Sequence, residues 1–360
     1  MESATSGRSS ARRLPSPAEI AAACPTTARV RTVVENGRRA IVDCLEGSDG
    51  RLAVIVGPCS IHDPDAARDY AHKLAEQRQR LADDLEIVMR VYFEKPRTTT
   101  GWKGLINDPW LDGSHAVETG LGIARTLLRD VNEMGLPTAT EFLDPLTHGY
   151  FSDLVSWGAV GARTTESQTH REVASSLAMP VGFKNGTDGN VRIAADAMIS
   201  ASRAHHHISI DSDGAICKNV SPGNPYAHIV LRGGRQPNYD AASVNATGSL
   251  LESENLRGRL FVDASHANSA RKHRNQIAVC GNIGAQLADG SRYIAGVMIE
   301  SNLMEGRQDL GNGKGLEYGK SVTDACLSWE DTVEVLSQLA RSAGKRRKLA
   351  RTEPSGLATA

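Results

Sequence analysis

Residues 52–63 read LAVIVGPCSIHD, an uninterrupted apolar run that changes at Gly57 into small and polar residues. A strand of a parallel sheet has this composition, because helices cover both of its faces. Similar short runs rich in Val and Ile recur along the chain, and helix-like stretches lie between most of them. We predict eight strands, at 52–56, 85–92, 138–143, 159–163, 180–184, 227–231, 260–263 and 293–299.

Eight strands with helical crossovers favour an α/β protein that closes as a (β/α)8 TIM barrel. An open, doubly wound sheet is the alternative, but no GxGxxG follows the first strand. We predict a disordered lead at 1–17, an N-terminal arm at 18–50, the catalytic barrel at 51–345 and a flexible basic tail at 346–360. The segment 205–226 predicts a hairpin-like insertion before strand six. Its three leading histidines fit a hairpin start better than a second metal site.

The composition excludes several classes of protein. Lys and Arg total 41 against 42 Asp and Glu, a net charge of −1 that gives no reason to expect nucleic acid or a membrane as partner. The six cysteines include no CxxC pair and are too sparse for a disulfide framework. The N-terminus lacks an apolar leader, so we predict a cytoplasmic protein.

Polar residues follow nearly every predicted strand, and in a barrel the C-terminal strand ends carry the catalytic groups. One set is cationic. Arginine and lysine match phosphate and carboxylate oxygens, and several cations converging on one cavity would repel each other without an anion. The predicted ligand is therefore a small substrate, or a pair, with phosphate and carboxylate groups, bound by Arg90, Lys95, Arg97, Arg163, Lys184 and Arg232.

A second set mixes thiol, imidazole and carboxylate donors. Such a shell suits Mn²⁺, Fe²⁺, Co²⁺ or Zn²⁺ better than Mg²⁺ or Ca²⁺. The residues lie on different strands, so spacing alone leaves open an incidental cysteine and a hydrogen-bonded core histidine. The candidate ligands of one divalent metal ion are Cys59, His266, Glu300 and Asp324.

Longer blocks carry a family resemblance. GPCSIHD at 57–63, MRVYFEKPRTTTGWKGLINDP at 89–109, GARTTESQ at 161–168 and VDASHANS at 262–269 resemble 3-deoxy-D-arabino-heptulosonate 7-phosphate (DAHP) synthases of the class I alpha type. The resemblance covers roughly residues 25–345. The KPRTT motif separates the chain from octulosonate 8-phosphate synthases, which are similar in fold and reaction.

The resemblance implies an enzyme that condenses phosphoenolpyruvate with erythrose 4-phosphate and releases phosphate, the first step of the shikimate pathway of aromatic amino acid biosynthesis. It assigns the metal to Cys59, His266, Glu300 and Asp324, and the chemistry to Lys95, Cys59, His266 and Asp324. It assigns phosphoenolpyruvate to Arg90, Lys95, Glu141, Ala162, Arg163, Lys184 and Arg232. It assigns erythrose 4-phosphate to Lys95, Pro96, Arg97, Thr98 and Asp324. It also implies a homodimer or homotetramer.

Two other functions remain open at this point. A paralogue could use a related aldose phosphate or an amino analogue in specialised aromatic metabolism, or the chain could be a non-catalytic regulatory subunit. The resemblance also implies a possible aromatic amino acid effector, bound by the N-terminal arm, the helix after strand four and the hairpin. That helix is predicted to carry Ala178, and the hairpin is poor in aromatics, so we expect weak or absent inhibition.

Overall fold

The computed structural model describes residues 11–352. Its strands are β1 Leu52–Gly57, β2 Leu85–Arg90, β3 Thr138–Glu141, β4 Trp157–Val160, β5 Val181–Lys184, β6 His205–Ile210, β7 Ile216–Ser221, β8 Ala227–Leu231, β9 Leu260–Asp263 and β10 Ile294–Glu300. Its α-helices are α1 Pro17–Ala23, α2 Ala28–Glu46, α3 Pro64–Arg80, α4 Val117–Glu133, α5 His148–Phe151, α6 Gln168–Ser176, α7 Arg192–Ala201, α8 Ala241–Ser253, α9 Asn275–Ala288 and α10 Trp329–Thr352.

Eight of these strands form a closed barrel in the order β1-β10-β9-β8-β5-β4-β3-β2, and every neighbouring pair is parallel. Gly57 at the end of β1 pairs with Glu300 at the end of β10, so these C-terminal ends are level. The predicted (β/α)8 barrel is confirmed. Because all its strands run the same way, the residues that follow them meet at one mouth.

Six of the eight barrel strands differ from their predicted ranges at one end or both, and the fourth is displaced furthest at its start. The sequence predicts the fourth strand at 159–163, whereas β4 begins at Trp157 and ends at Val160. Trp157 is fully buried in the barrel interior, where its ring stacks on Phe261. A tryptophan between Ser156 and Gly158 does not read as part of a continuous apolar run, which is why its inclusion was missed. Arg163 consequently lies beyond the strand, in the loop that leads to α6.

The insertion before the sixth barrel strand is a hairpin, as predicted. β6 and β7 pair antiparallel, with Ile210 opposite Ile216 at the turn end. The three histidines open β6: His205 bonds the Ser200 carbonyl through Nε2, and His207 is buried and pairs with Asn219.

The N-terminal arm forms α1 and α2. Ile41, Cys44 and Leu45 of α2 are buried in the cluster that fills the barrel interior, so α2 closes the N-terminal end of the barrel. The disordered lead was predicted to reach residue 17, but Ser16 is buried and caps α1 through a reciprocal capping box with Glu19. The part of that prediction at 1–10 lies outside the described residues.

The predicted start of the C-terminal tail is wrong. The sequence places a flexible tail at 346–360, yet α10 continues to Thr352. The physical reason is Arg346, which is 6% exposed and donates to the carbonyls of Arg51 beside β1 and Ile294 in β10. A basic run that looked solvated thus contains anchoring residues, since Arg347 beside it also donates to the Asp83 carbonyl and pairs with Asp84. Residues 353–360 lie outside the described range, and in 11–352 no helix combines the length and hydropathy needed to cross a bilayer.

Glu94 joins two loops at the mouth. Its buried carboxylate accepts bonds from the Thr147 hydroxyl and, at 3.4 Å, from the Asp144 amide, so the loop after β2 is tied to the loop after β3. Burial raises the pKa of Glu94 to about 7, and the neighbouring Asp144 carboxylate adds to the effect. The next residue in the chain is Lys95.

Replacing Arg346 with Ala leaves two backbone carbonyls near the barrel floor without their cationic donor. We expect Arg346→Ala to lower the free energy of unfolding by about 2 kcal/mol, measured by urea denaturation. Arg351→Ala, in an exposed position of the same helix, is the matched control and should change it by less than about 0.5 kcal/mol. Equal stability of the two variants would contradict an anchoring role for Arg346.

Glu94 should make stability depend on pH. Because its folded pKa is raised above the unfolded value of 4.5, its contribution is fully present below pH 4.5 and is lost as the pH rises through about 7. Glu94→Gln should therefore gain about 2 kcal/mol relative to wild type between pH 5 and pH 8, measured by urea denaturation at both pH values. Glu334→Gln, an exposed change in α10, should show no such gain. A flat difference for Glu94→Gln would rule out the raised pKa.

Candidate functional site

Residues that follow the barrel strands line a cavity of about 220 Å³ at the C-terminal mouth. An adjoining cavity of about 500 Å³ shares part of its wall and also reaches Glu300. The closed parallel sheet brings these side chains together from distant parts of the chain. The smaller cavity is lined by most of the predicted site residues, namely Arg90, Lys95, Pro96, Glu141, Ala162, Arg163, Lys184, Arg232, His266 and Asp324.

Three of the four predicted metal ligands form a tight cluster. One donor atom from each of Cys59, Glu300 and Asp324 lies within 4.8 Å of the other two, and Cys59 Sγ is 3.5 Å from Asp324 Oδ2. His266 stands at the edge of this cluster, with Nε2 4.0 Å from Glu300 Oε1. The four residues come from the ends of β1, β9 and β10 and from the loop before α10.

The turn after β1 is built so that Cys59 faces this cluster. Gly57 adopts φ 154, and a side chain at this position would meet the Arg90 carbonyl at 2.8 Å. Arg90 in turn donates from Nε to the Pro58 carbonyl and from Nη2 to the Cys59 carbonyl. The backbone at His266, at the edge of the same cluster, is similarly constrained. His266 adopts φ 55, a left-handed conformation that non-glycine residues seldom adopt.

The charges around Cys59 determine its protonation. Burial, together with the Glu300 carboxylate, raises the pKa of the Cys59 thiol to about 11. Lys95 Nζ lies 3.1 Å from Cys59 Sγ and 3.9 Å from Asp324 Oδ2. Burial alone would lower the pKa of Lys95, but Cys59 and Glu300 raise it, so Lys95 is a protonated ammonium group. Partial burial would raise the pKa of Asp324, yet Lys95 and His266 hold it below its usual value.

This donor set fits a divalent transition metal. A thiol and two carboxylates within 4.8 Å concentrate anionic donors at one point, and Cys59 and Glu300 are both buried there. A bound cation would favour the thiolate form of the cysteine, since metal ligands must be deprotonated. The residues that could hold the ion are Cys59, His266, Glu300 and Asp324.

Two of the mouth cations are paired with buried carboxylates. Arg90 Nη2 lies 3.0 Å from Glu300 Oε1, and both side chains are almost completely buried. Lys184 Nζ lies 3.0 Å from Asp263 Oδ2, again with both groups buried. A buried ion pair needs good geometry to offset its desolvation, so these cations are held in place before any ligand arrives.

Arg163 and Arg232 have a different environment. Neither has a carboxylate within ion-pair distance in the described range 11–352, although both line the two cavities. Burial lowers the pKa of Arg232, whereas the Asp263 carboxylate opposes that shift; the cationic Arg271 and Arg163 add to the lowering. Two arginine side chains whose charge is not neutralised by protein form a site for an anion such as a phosphate group.

The loop after β2 places its predicted residues unevenly. Lys95 is buried and Pro96 lines the smaller cavity, but Arg97 and Thr98 are exposed and line neither cavity. Arg163 joins this loop to the mouth by donating to the Pro96 carbonyl at 3.0 Å and the Thr98 hydroxyl at 3.3 Å. The structure therefore brings Lys95 and Pro96 into the site and leaves the Arg97 side chain outside it.

Sequence reasoning missed three residues at this mouth. Asp263 is the last residue of β9 and contacts both Lys184 and His266. Ser265 hydrogen-bonds both Asp263 and His266. Arg271 lines both cavities. Asp263 and Ser265 belong to the quoted VDASHANS block, and an acidic residue at the end of an apolar strand was a usable signal. The position of Arg271 gave no comparable signal.

Comparison with known proteins agrees with this geometry. The model of the family described as DAHP synthetase I matches residues 26–337. The chain is 52% identical over 333 residues to the Trp-sensitive phospho-2-dehydro-3-deoxyheptonate aldolase of Salmonella typhimurium, covering 92% of this chain and 96% of that protein. It is 52% identical over 323 residues to the Phe-sensitive enzyme of Escherichia coli K12, covering 90% and 92% respectively.

A solved structure gives the same assignment. Phospho-2-dehydro-3-deoxyheptonate aldolase from Francisella tularensis SCHU S4 superposes with a TM-score of 0.93 at 46% identity, covering 95% of this chain and 100% of that one. The chain belongs to the DAHP synthetase I family.

Proposed function

We propose that this chain is a 3-deoxy-7-phosphoheptulonate synthase, which condenses phosphoenolpyruvate, erythrose 4-phosphate and one water molecule to DAHP and inorganic phosphate with one divalent metal ion. The observation that carries the proposal is one mouth that combines an anion site with a cluster of metal donors. Phosphoenolpyruvate carries a phosphate and a carboxylate, and the second substrate carries an aldehyde and a phosphate. The reaction opens the shikimate pathway.

The anion half of the site binds phosphoenolpyruvate. Arg163 and Arg232, whose charges lack a carboxylate partner in the described chain, attract its phosphate group. Lys184 and Arg90 are held by their buried carboxylates and add fixed positive charge. The Ala162 backbone and Glu141 lie on the same wall. Fixed cations at the mouth hold the substrate for attack without reorganising, which is a large part of what an enzyme site contributes.

The other half acts on the aldehyde. Cys59, His266, Glu300 and Asp324 would hold a divalent metal ion, which would supply Lewis acidity for the aldehyde oxygen. Lys95 Nζ lies 3.1 Å from Cys59 Sγ. Its ammonium group can donate a proton to the oxygen that gains negative charge as the carbon–carbon bond forms. We assign the second substrate to Lys95, Pro96, Arg97, Thr98 and Asp324. The exposed Arg97 and Thr98 require the loop after β2 to close for this contact.

A phosphate-release assay tests the proposal. We expect release that requires phosphoenolpyruvate, erythrose 4-phosphate and a divalent transition metal, and that a chelator abolishes. Arabinose 5-phosphate in place of erythrose 4-phosphate should lower kcat/KM by at least about tenfold, since a site shaped for one aldose discriminates against a longer one. A higher kcat/KM with arabinose 5-phosphate would favour the related-aldose alternative, and no turnover with either would favour the non-catalytic subunit.

A second buried cysteine, Cys280, supplies the matched control for removing the candidate metal ligand Cys59. Cys59→Ala should lower turnover and metal affinity by at least about 100-fold because it removes a metal ligand. Cys280→Ala removes an equally buried thiol from α9, outside both mouth cavities, and should leave both quantities within about threefold. Full activity of metal-free protein would exclude a metal-dependent reaction.

Weak or absent inhibition by aromatic amino acids is the finer part of the proposal. The relatives are named Trp-sensitive and Phe-sensitive. In this chain the outer face of the hairpin exposes Ile208, Ile216 and Val220 and carries no aromatic side chain. Ala178 was predicted to lie in the helix after the fourth strand, but α6 ends at Ser176, so Ala178 lies in the following loop. Homodimer or homotetramer formation stays a prediction.

We expect the initial rate to stay flat when saturating Phe, Tyr or Trp is added singly. The reason is that the hairpin offers aliphatic rather than aromatic surface to an effector. Steady-state rates at subsaturating phosphoenolpyruvate check this with the greatest sensitivity to competition. Strong inhibition by any one of the three would contradict it.

A further inference from the structure

Asp263 connects the two halves of the mouth. It ends β9, is 1% exposed, and uses both carboxylate oxygens. Oδ1 accepts bonds from the Ser265 amide at 3.0 Å and the Ser265 hydroxyl at 2.7 Å. Oδ2 lies 2.9 Å from His266 Nδ1 and 3.0 Å from Lys184 Nζ. One buried carboxylate therefore contacts both a candidate metal ligand and a candidate phosphoenolpyruvate lysine.

The protons in this group can be assigned by elimination. The Ser265 hydroxyl has one proton and donates it to Asp263 Oδ1. The same hydroxyl lies 2.7 Å from His266 Nδ1, so in that contact it must accept. His266 Nδ1 must then carry a hydrogen and donate it to the Ser265 hydroxyl, and the Asp263 Oδ2 carboxylate oxygen 2.9 Å away favours a hydrogen on that nitrogen electrostatically. The neutral ring consequently has its lone pair on Nε2, the nitrogen that faces Glu300.

The lysine contact has a second consequence. Lys184 lines the smaller cavity, is 4% exposed, and has a single carboxylate, Asp263, within ion-pair distance among residues 11–352. Without that carboxylate the ammonium group would be an unpaired buried charge in a cavity that Arg90 and Arg232 also line, and it would turn away from the cavity. Holding Lys184 thus keeps a positive charge where the anion binds.

We propose that Asp263, acting with Ser265, is a positioning residue that sets the Nδ1–H tautomer of His266 for metal binding and fixes Lys184 for phosphoenolpyruvate binding. The inference rests on the proposed function, because it concerns how that site is assembled. Hydrogen-bond partners of metal-ligating histidines affect metal affinity by about 10–100-fold. A residue that served the fold alone would change stability and leave both affinities of the folded protein unaltered.

Three variants give a pattern that separates these roles. Asp263→Asn places an NH₂ donor where one of its partners needs an acceptor, so it should weaken both Mn²⁺ and phosphoenolpyruvate binding by about 10–100-fold. Ser265→Ala keeps the direct Asp263–His266 contact and should weaken Mn²⁺ binding alone, by less. Lys184→Met should weaken phosphoenolpyruvate binding alone. Calorimetric titration of the folded variants with Mn²⁺ and with phosphoenolpyruvate measures both constants.

The tautomer of His266 can be observed in the metal-free wild-type chain, and the Asp263→Asn variant then tests what sets it. Proton–nitrogen correlation spectra of the metal-free wild-type chain, recorded where histidine is neutral, should include an Nδ1–H imidazole signal that disappears in His266→Gln. The Nδ1–H signal of His228, whose Nε2 accepts from the Trp157 indole and whose Nδ1 faces the Tyr226 carbonyl, should remain in that variant. In Asp263→Asn the His266 signal should shift toward the Nε2–H form. If His266 carries its proton on Nε2 in wild type, the inference is wrong even if Asp263→Asn fails to fold.

The binding data also separate this inference from the proposed function. If Asp263→Asn binds Mn²⁺ and phosphoenolpyruvate as tightly as the wild type does, the positioning role is wrong, whatever the turnover of the variant. If Asp263→Asn loses affinity for only one of the two ligands, the positioning role is also wrong, since the Asp263 carboxylate contacts both His266 and Lys184. Intact binding in the wild type without DAHP formation would contradict the proposed function and leave the positioning role supported by the variants. Asp153→Asn, at an ion pair with Arg125 outside both mouth cavities, controls for general destabilisation.

Discussion

The buried Arg90 guanidinium is the interaction on which the mouth depends. It is 1% exposed, lies over the Tyr92 ring at 3.5 Å, and donates to the Pro58 and Cys59 carbonyls and to Glu300. These contacts tie the ends of β1, β2 and β10 together, three neighbours in the closed sheet. Because one rigid fork holds both the turn that carries Cys59 and the carboxylate of Glu300, the two candidate metal ligands keep a constant separation.

The same arrangement explains how a chain with net charge −1 can present a strongly cationic mouth. Buried carboxylates stand behind the cations: Glu300 behind Arg90 and Asp263 behind Lys184. Within each pair the attraction between the two charges offsets the cost of burying them. Arg163 and Arg232, which have no such partner among the described residues, are the cations that can bind an anion. Average charge describes the surface, whereas binding depends on which cations are already neutralised.

Much of this could be predicted from sequence. Short apolar runs ending in polar residues predicted the closed barrel, and the polar ends predicted a site at its mouth. Metal-donor spacing could not be read directly, because Cys59 and Asp324 are far apart in sequence and meet only through the closed sheet. The resemblance supplied that grouping. The structure adds the edge position of His266 and the exposure of Arg97, which depend on side-chain direction and loop path rather than residue type.

The errors have physical causes of the same kind. A basic C-terminal run looks solvated unless one arginine finds buried carbonyls, as Arg346 does. An acid at a strand end looks like part of a motif until its partners are known. The strand-end position of Asp263 marks it as a candidate site residue, but its role cannot be assigned from sequence because His266 and Lys184, which follow or end different strands, both contact its Oδ2.

That dependence also limits how the site can change. A substitution at Arg163 or Arg232 alters a cation that faces the cavity without leaving a buried carboxylate unpaired. A substitution at Arg90 or Lys184 leaves Glu300 or Asp263 buried without its cation, which costs several kcal/mol in typical buried pairs. Changes in anion preference are therefore physically easier at the unpaired arginines, while the paired cations are coupled to the stability of the barrel itself. Arg90 and Lys184 thus contribute to both binding and folding, whereas the contributions of Arg163 and Arg232 to binding are separate from folding.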